Sequence, residues 1–276
     1  MKVVRFIGAA GLAIILAVAA HPSLAQTGEI VDRTELRVCA DPNNLPFSNE
    51  HEEGFENRVA GIVAEELKLP VTYYWFPQII GFVRNTLRAR RCDLVMGTVA
   101  GDDIMQTTNP YYYSTYVMIF RADRGLNFDG IADPRLATMR LGVVGATPPT
   151  DLLVRHDLMA HTKPYALTVD TRYESPAHEL VKDVVSGEVD VGFLWGPIAG
   201  YYIKRDSLPL RMTALHGELD APRMDYRIAM GVRANEPEWR RRINAIILKR
   251  QADITAILRE YGIPLLNEQG ELSGAP

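Results

Sequence analysis

Short, continuously apolar runs alternate along the chain with stretches that are apolar on one helical face only. The apolar residues between Phe55 and Leu67 recur at the spacing of a helix face, whereas Leu94-Val95-Met96 is an unbroken apolar run typical of a strand buried on both sides. Strands that alternate with helices predict a parallel sheet covered by helices on both faces. The first part of the chain is predicted to contain strands over residues 36–40, 70–75 and 93–97 and helices over residues 55–67 and 82–91.

The same alternation restarts after residue 139, so the pattern predicts a second α/β unit. Two long extended segments link the units, and two helices follow the second segment. A chain that leaves one lobe, builds another and returns forms a two-strand hinge, with a ligand cleft between the lobes. The elements predicted for this part are strands over residues 140–144, 166–169 and 189–194, helices over 148–158, 176–186, 238–249 and 253–261, and extended segments over 113–121 and 226–233.

We therefore expect an α/β fold of two lobes, each a mostly parallel sheet flanked by helices, joined by two crossing hinge strands. A lobe of about 120 residues can bury a core of its own. The predicted division is a leader over residues 1–25, lobe 1 over residues 26–117 plus 228–276, and lobe 2 over residues 118–227.

The first 25 residues have the features of an export signal. Lys2 and Arg5 precede an apolar run over residues 6–20, which at 15 residues is too short to span a bilayer comfortably. Ser23-Leu24-Ala25 offers a small-x-small cleavage site, so the mature chain is predicted to begin near Gln26 and to reside in the periplasm. The alternative is a retained anchor helix, which the lack of a charged stop-transfer flank disfavours.

Charge and cysteine content restrict the partners and the compartment. The leader holds two of the 30 basic residues and none of the 34 acidic ones, so the mature chain has a formal charge of −6. This disfavours nucleic acid and anionic membranes as partners, and we expect a monomer that is not membrane-embedded. In an exported chain, Cys39 and Cys92 predict a disulfide. Two buried thiols are the alternative, because simple strand register would leave the cysteines about 10 Å apart, and a disulfide needs Cα atoms within about 7 Å.

Six short motifs occur in the order that is typical of one fold. Each motif is weak alone, but together they resemble the type II periplasmic binding fold, in particular its amino-acid binders. The resemblance spans nearly the whole mature chain and implies the two-lobed architecture predicted above. The motifs are Leu36-Arg37-Val38 with Pro46-Phe47, Gly54-Phe55-Glu56, Cys92 to Gly97, Pro110-Tyr111-Tyr112, Ser186 to Val191, and Arg242-Ile243-Asn244 with Tyr261-Gly262-Ile263.

A denser resemblance covers residues 36–121. Val38 to Asn49, Gly81 to Leu87 and Thr108 to Tyr116 look like the quinoprotein-dehydrogenase-associated binding proteins of the MxaJ and XoxJ type. This resemblance implies a non-enzymatic periplasmic accessory protein of a pyrroloquinoline-quinone (PQQ) alcohol or methanol dehydrogenase, one that aids the maturation or activation of that enzyme. It implies no cofactor for the chain itself.

The residues that hold a free amino acid in this fold are missing. The Arg that binds the ligand carboxylate in amino-acid binders is replaced here by Asp102 and Asp103, which at 4 Å would repel a carboxylate by about 4 kcal/mol at an effective dielectric of about 20. The alternative is that one of the two caps a helix beginning at Ile104. The Asp that pairs with the ligand ammonium is replaced by Trp195-Gly196. We therefore predict no tight binding of standard L-amino acids.

The remaining candidates for contact with a ligand or a partner are mostly aromatic and amide side chains at strand ends. Each aromatic residue could equally pack in the core or the hinge, and Asn43 and Asn44 could equally form a turn. Together they suggest a stacking or protein-binding surface. The candidates are Asp41, Asn43, Asn44, Phe47, Ser48, Phe55, Trp75, Gln78, Phe82, Asp102, Asp103, Tyr111, Tyr112, Tyr116, Thr147 and Trp195.

Three classes of function follow, and the dehydrogenase accessory protein is preferred. The second is an ABC-transporter receptor for a small solute that is not an amino acid. The third is a dehydratase with Asp41, Glu56 or Asp103 as the acid, but the chain has no nucleophile, zinc or nucleotide motif, and we expect no catalytic residue and no metal. Contact with the dehydrogenase is preferred over capture of PQQ, whose carboxylates the acidic pair would repel unless Arg84 or Arg172 reaches the cleft.

Overall fold

The structure is a computed structural model that describes residues 33–267 and 269–273. The export signal predicted over residues 1–25 lies outside this part of the chain. Within it, no helix is both long and apolar enough to cross a bilayer.

Strands and helices alternate in both halves of the described chain, as the apolar pattern predicts. The strands are β1 (Leu36–Ala40), β2 (Asn43–Asn44), β3 (Ser48–Asn49), β4 (Val71–Trp75), β5 (Leu94–Val99), β6 (Gln106–Arg121), β7 (Leu141–Val144), β8 (Thr162–Tyr165), β9 (Val191–Trp195), β10 (Leu210–Ala214), β11 (Asp225–Val232), β12 (Leu265–Leu266) and β13 (Leu272–Ser273). The α-helices are α1 (Phe55–Leu67), α2 (Phe82–Asn85), α3 (Pro148–Arg155), α4 (Pro176–Ser186), α5 (Gly196–Arg205) and α6 (Pro237–Glu260).

One strand, β6, belongs to both halves of a curled mixed sheet ordered β4-β1-β5-β11-β6-β9-β7-β8. Its first part pairs with β11, as far as Thr115 opposite Asp225, and its second part pairs with β9 and β10, beginning at Tyr116 opposite Trp195. On one side β1 pairs in parallel with β4 and β5, and on the other β7 pairs in parallel with β8 and β9. The predicted two-lobed α/β fold is therefore confirmed, with β6 and β11 as its crossing strands.

The halves bury separate cores. In the first, helices α1 and α6 cover the sheet formed by β1, β5 and the first parts of the crossing strands. In the second, β6 sends Val117 and Ile119 into a cluster on one face and Met118 and Phe120 into a cluster on the other. Alternation of this kind is what a strand buried on both faces requires, because successive side chains point to opposite sides.

The structure differs from the sequence pattern where tertiary contacts override local preference. The helix predicted over residues 82–91 is wrong: α2 ends at Asn85, and Arg90 has a left-handed φ of 58° that no continuing helix could contain. The strand predicted over residues 166–169 is also wrong, because β8 ends at Tyr165, opposite Val144, the last residue of β7. Beyond Tyr165 the chain has no strand to pair with.

Three further features differ from the prediction or were not predicted. No helix begins at Ile104; instead the Asp102 carboxylate accepts a hydrogen bond of 2.9 Å from the Ile104 amide in the turn that joins β5 to β6. The predicted helices over 238–249 and 253–261 are one element, α6, with non-helical dihedral angles at Arg250. Helix α5 and strand β10 have no counterpart in the predicted elements.

Cys39 and Cys92 form the predicted disulfide. Strand register pairs Val38 with Leu94, so Cys92 lies two residues before the first paired residue of β5. The two cysteine Cα atoms are nevertheless only 5.4 Å apart, well within disulfide range. The estimate of about 10 Å was too long because it continues β5 in a straight line through Cys92, whereas the chain bends before the strand begins.

Candidate functional site

A cavity of about 600 Å³ lies between the two halves of the sheet. Its walls come from the carboxyl ends of β5, β7 and β9, from the loop after β1, and from the crossing strands β6 and β11. The carboxyl edge of a parallel sheet is the usual ligand edge, because the strand ends there leave a crevice between the helices. The fold therefore places the cavity where the two-lobed prediction expects a ligand.

Half of the sixteen candidate residues line this cavity. They are Asn43, Asn44, Phe47, Gln78, Tyr112, Tyr116, Thr147 and Trp195. The structure brings these eight together although they come from five separate stretches of the chain.

The other eight candidates lie elsewhere. Asp41 and Ser48 are buried in the loop after β1, Phe55 and Tyr111 lie in the lobe 1 core, and Trp75 stacks on Tyr73 at its edge. Phe82 packs beside the disulfide. Asp102 and Asp103 line a separate cavity of about 520 Å³ between the β5–β6 turn and the segment after β11.

Aromatic rings form one wall of the cavity. The ring centroid of Tyr116 lies 5.0 Å from that of Trp195 and 6.3 Å from that of Tyr226, and the last two rings are 6.0 Å apart. All three pairs meet edge to face, the arrangement that the ring quadrupole favours. Tyr226 was not among the predicted site residues, although its place on the second extended segment was the signal that could have found it.

Glu56 is the principal site residue that the sequence reasoning missed as a ligand contact. It lies in the first turn of α1 and lines the cavity, yet its side chain is only 6% exposed. Burial, together with the nearby Asp41 carboxylate, raises the pKa of Glu56 to about 8. Gly97 on β5 makes room for it, because a Cβ atom at residue 97 would lie 2.3 Å from Glu56 Oε1.

Asp41 joins the two halves across the cleft. Its carboxylate accepts hydrogen bonds from the backbone N–H groups of Asn43 and Gln78, at 2.9 and 2.6 Å. It also accepts from the Thr171 hydroxyl, at 2.8 and 2.9 Å to its two oxygens. Asn43 Nδ2 also donates to the Thr171 carbonyl at 2.9 Å. Asp41 and Asn43 follow β1 and Thr171 follows β8, so these bonds hold the two sides of the cavity together.

Among the residues that line the cavity, none is Lys, Arg or His, and the acidic ones are Glu56 and Glu174. Neither Arg84 nor Arg172 is part of this wall, and Arg172 pairs with Asp170 at 2.6 Å instead. Asp102 and Asp103 do not line this cavity, so the acidic side chains that would face a ligand are Glu56 and Glu174. The cavity wall contains no Arg that could bind a ligand carboxylate. Trp195 occupies the end of β9, where the resemblance to amino-acid binders places an Asp.

Nothing in the described part of the chain groups three or more His, Cys, Asp or Glu side chains around a common metal position. The cavity offers a ligand apolar rings, amide and hydroxyl groups, and one buried carboxyl.

The fold and the site define a two-lobed solute-binding protein. Residues 36–263 match the bacterial extracellular solute-binding proteins, family 3, and the chain belongs to this family.

Three relatives are similar over most of the chain. The periplasmic binding protein XoxJ from Methylobacterium extorquens AM1 is 40% identical, with a TM-score of 0.73 over 84% of this chain and all of XoxJ. MxaJ from a Methylophaga species is 31% identical, with a TM-score of 0.75 over 84% of this chain and all of MxaJ. Protein MoxJ from Methylorubrum extorquens is 32% identical over 250 residues, which are 85% of this chain and 83% of MoxJ. The resemblance to the MxaJ and XoxJ type is thereby confirmed.

Proposed function

We propose that the protein is a non-enzymatic periplasmic accessory protein of a PQQ-dependent alcohol dehydrogenase, most simply a methanol dehydrogenase, and that it aids the maturation or activation of that enzyme. The similarity to XoxJ and MxaJ carries the proposal, together with the motifs of residues 36–121 that resemble the dehydrogenase-associated proteins. We propose that a cleaved signal peptide delivers the protein to the periplasm, and that its lobes comprise residues 26–117 plus 228–276 and residues 118–227.

Exposed apolar side chains lie two residues along the chain from cavity residues on both sides of the cleft, which suits contact with another protein. Ile80, which is 89% exposed, follows the cavity residue Gln78 on one side, and Tyr173, which is 79% exposed, follows Thr171 on the other. Leu167 is also exposed and lines the cavity itself. Exposed apolar side chains grouped around a concavity are typical of an interaction surface.

Complex formation with the purified apo-dehydrogenase tests the proposal. The mature protein is immobilised through its C-terminus, and binding of the enzyme is measured by surface plasmon resonance. Ile80→Glu should weaken binding about tenfold or more, since it places a charge in the proposed contact. Leu248→Glu is the matched control, because Leu248 is 81% exposed on α6 and does not line the cavity. No complex with the unaltered protein, or equal losses in both variants, would refute the proposal.

The cavity also suits a receptor that delivers a small solute to a transporter, because it lies between two halves that the bonds of Asp41 to Thr171 join. A permease and an ATPase encoded beside the gene, in place of a dehydrogenase and a cytochrome, would favour this second function.

A further inference from the structure

A carboxyl group without a partner faces the cleft cavity. Neither side-chain oxygen of Glu56 accepts or donates a hydrogen bond within the described residues, and the side chain is 94% removed from solvent. Gly97 leaves the space that this carboxyl occupies. Leaving a buried polar group unpaired is costly, and native proteins pair almost all of them. Because Glu56 lines the cavity, its partner is supplied by whatever occupies the cavity, either solvent or a ligand.

The groups around Glu56 do not neutralise it. Asp41 is itself acidic, and its oxygens are occupied by the Asn43, Gln78 and Thr171 donors. The Tyr111 hydroxyl donates to the Met96 carbonyl at 3.0 Å, and the Tyr73 hydroxyl is directed to the Asn57 carbonyl. Tyr112 is the remaining titratable neighbour, and Glu174 stands exposed on the lobe 2 side. A positively charged ligand in the cavity would therefore face acidic side chains and no basic side chain among the residues that line it.

The aromatic wall supplies the second half of a cation site. Tyr116, Trp195 and Tyr226 form a mutually contacting trio that lines the same cavity as Glu56. Ring faces attract cations, most strongly when water is excluded, and they also cover an apolar body. A carboxylate combined with several aromatic rings is the chemistry that recognises an ammonium group.

We propose that the cleft binds an organic ammonium ion that carries no carboxylate. The Glu56 carboxylate pairs with the positive charge of this ligand, and the Tyr116–Trp195–Tyr226 rings cover its apolar body. The inference rests on the proposed function in that it takes the cleft as the binding surface. Two sources share this chemistry: a free amine, and the ammonium group of a lysine or chain terminus of the dehydrogenase. Free amino acids are excluded because the wall has no arginine for their carboxylate.

One feature of the opposite wall favours anions instead. Helices α3, α4 and α5 begin at this wall, and the N-terminus of a helix attracts negative charge. Each of the three has a proline in its first two positions, which removes an N–H that an anion would use. An acid of matched shape is therefore the decisive control ligand.

Calorimetry with matched small molecules tests the inference. The probes are 2-phenylethylamine, its neutral analogue 2-phenylethanol, and the acid 3-phenylpropionate, each titrated into the mature protein and into Glu56→Gln. The amine should bind tightest to the unaltered protein and lose about 10- to 100-fold in Glu56→Gln, the range of one charge-assisted hydrogen bond. The neutral alcohol should change little. Acid that binds as tightly as the amine, or amine affinity that survives Glu56→Gln, would overturn the inference.

The pH profile gives a second readout that needs no variant. Benzyltrimethylammonium keeps its charge at every pH, so only the protein titrates. With a pKa of about 8, Glu56 is ionised to about 1% at pH 6 and to about half at pH 8, so affinity should rise about 50-fold over this interval. A flat profile in the unaltered protein would contradict the assignment to Glu56.

The Glu56→Gln variant also distinguishes a free amine from an ammonium group of the dehydrogenase, and it distinguishes failure of this inference from failure of the proposed function. If the ammonium belongs to the dehydrogenase, Glu56→Gln should weaken the protein complex as well as amine binding; if it belongs to a free amine, only amine binding should fall. A complex that forms although no amine binds would refute the inference and leave the proposed function standing. Amine binding without any complex with the dehydrogenase would support the inference and refute the proposed function.

Discussion

Replacement of Glu56 by Gln should make the protein more stable at alkaline pH and change it little in acid. The glutamate has an ordinary pKa of 4.5 in the unfolded chain and a pKa of about 8 in its buried position. The folded state therefore binds the proton more tightly than the unfolded state does. Its contribution to stability is complete below pH 4.5 and is lost as the pH rises towards 8. Glutamine fills the same volume and never ionises.

The size of the effect follows from the pKa difference. One pKa unit corresponds to about 1.4 kcal/mol, so a shift from 4.5 to about 8 amounts to about 5 kcal/mol of unfolding free energy. This value is an upper bound, since water that enters the cavity would stabilise the ionised carboxylate. Relative to the unaltered protein, the variant should therefore gain up to about 5 kcal/mol between pH 4.5 and pH 9.

Urea denaturation at pH 5, 7 and 9, with the disulfide intact, measures this difference directly. Glu50→Gln is the control, because Glu50 is exposed and its substitution should leave the pH dependence unchanged. A difference between Glu56→Gln and the unaltered protein that stays constant within about 1 kcal/mol across this range would refute the burial argument.

Four other outcomes are expected. Thr171→Val removes the hydroxyl that bonds Asp41 across the cleft, worth about 1.5–3 kcal/mol, so the radius of gyration in X-ray scattering should increase; an unchanged value would show that these bonds do not hold the lobes closed. Reduction of Cys39–Cys92 should cost about 2–4 kcal/mol of unfolding free energy, and denatured, non-reduced protein should show no free thiol on titration. Mass spectrometry of exported protein should find Gln26 at or near the N-terminus, and an intact Met1 would contradict this. Calorimetry against the twenty amino acids should give no dissociation constant below about 0.1 mM, because losing two charge-assisted contacts costs two to four decades of affinity, and a sub-micromolar amino acid would contradict it.

The sequence alone was sufficient for the fold class, the alternation of strands and helices in both halves, and the position of the cleft. Helices α1 and α4 begin and end where the sequence predicted, because their apolar faces are regular over their whole length. Strand β1 also has the predicted bounds. The lack of both amino-acid clamps could be read from the sequence, since each clamp is one residue type at a known distance from a motif.

The tertiary structure decided which residues share the cleft and what charge they face. Asp102 and Asp103 stand where a ligand arginine would be in the sequence, but the turn before β6 directs them to a different cavity. The sequence offered Glu56 only as one of three candidate acids for a dehydratase, and only the close approach of Gly97 and Asp41 shows that it is buried without a counter-ion. The physical reason is that periodicity reports one element's buried face, whereas the burial and pKa of a carboxyl depend on atoms brought to it from distant parts of the chain.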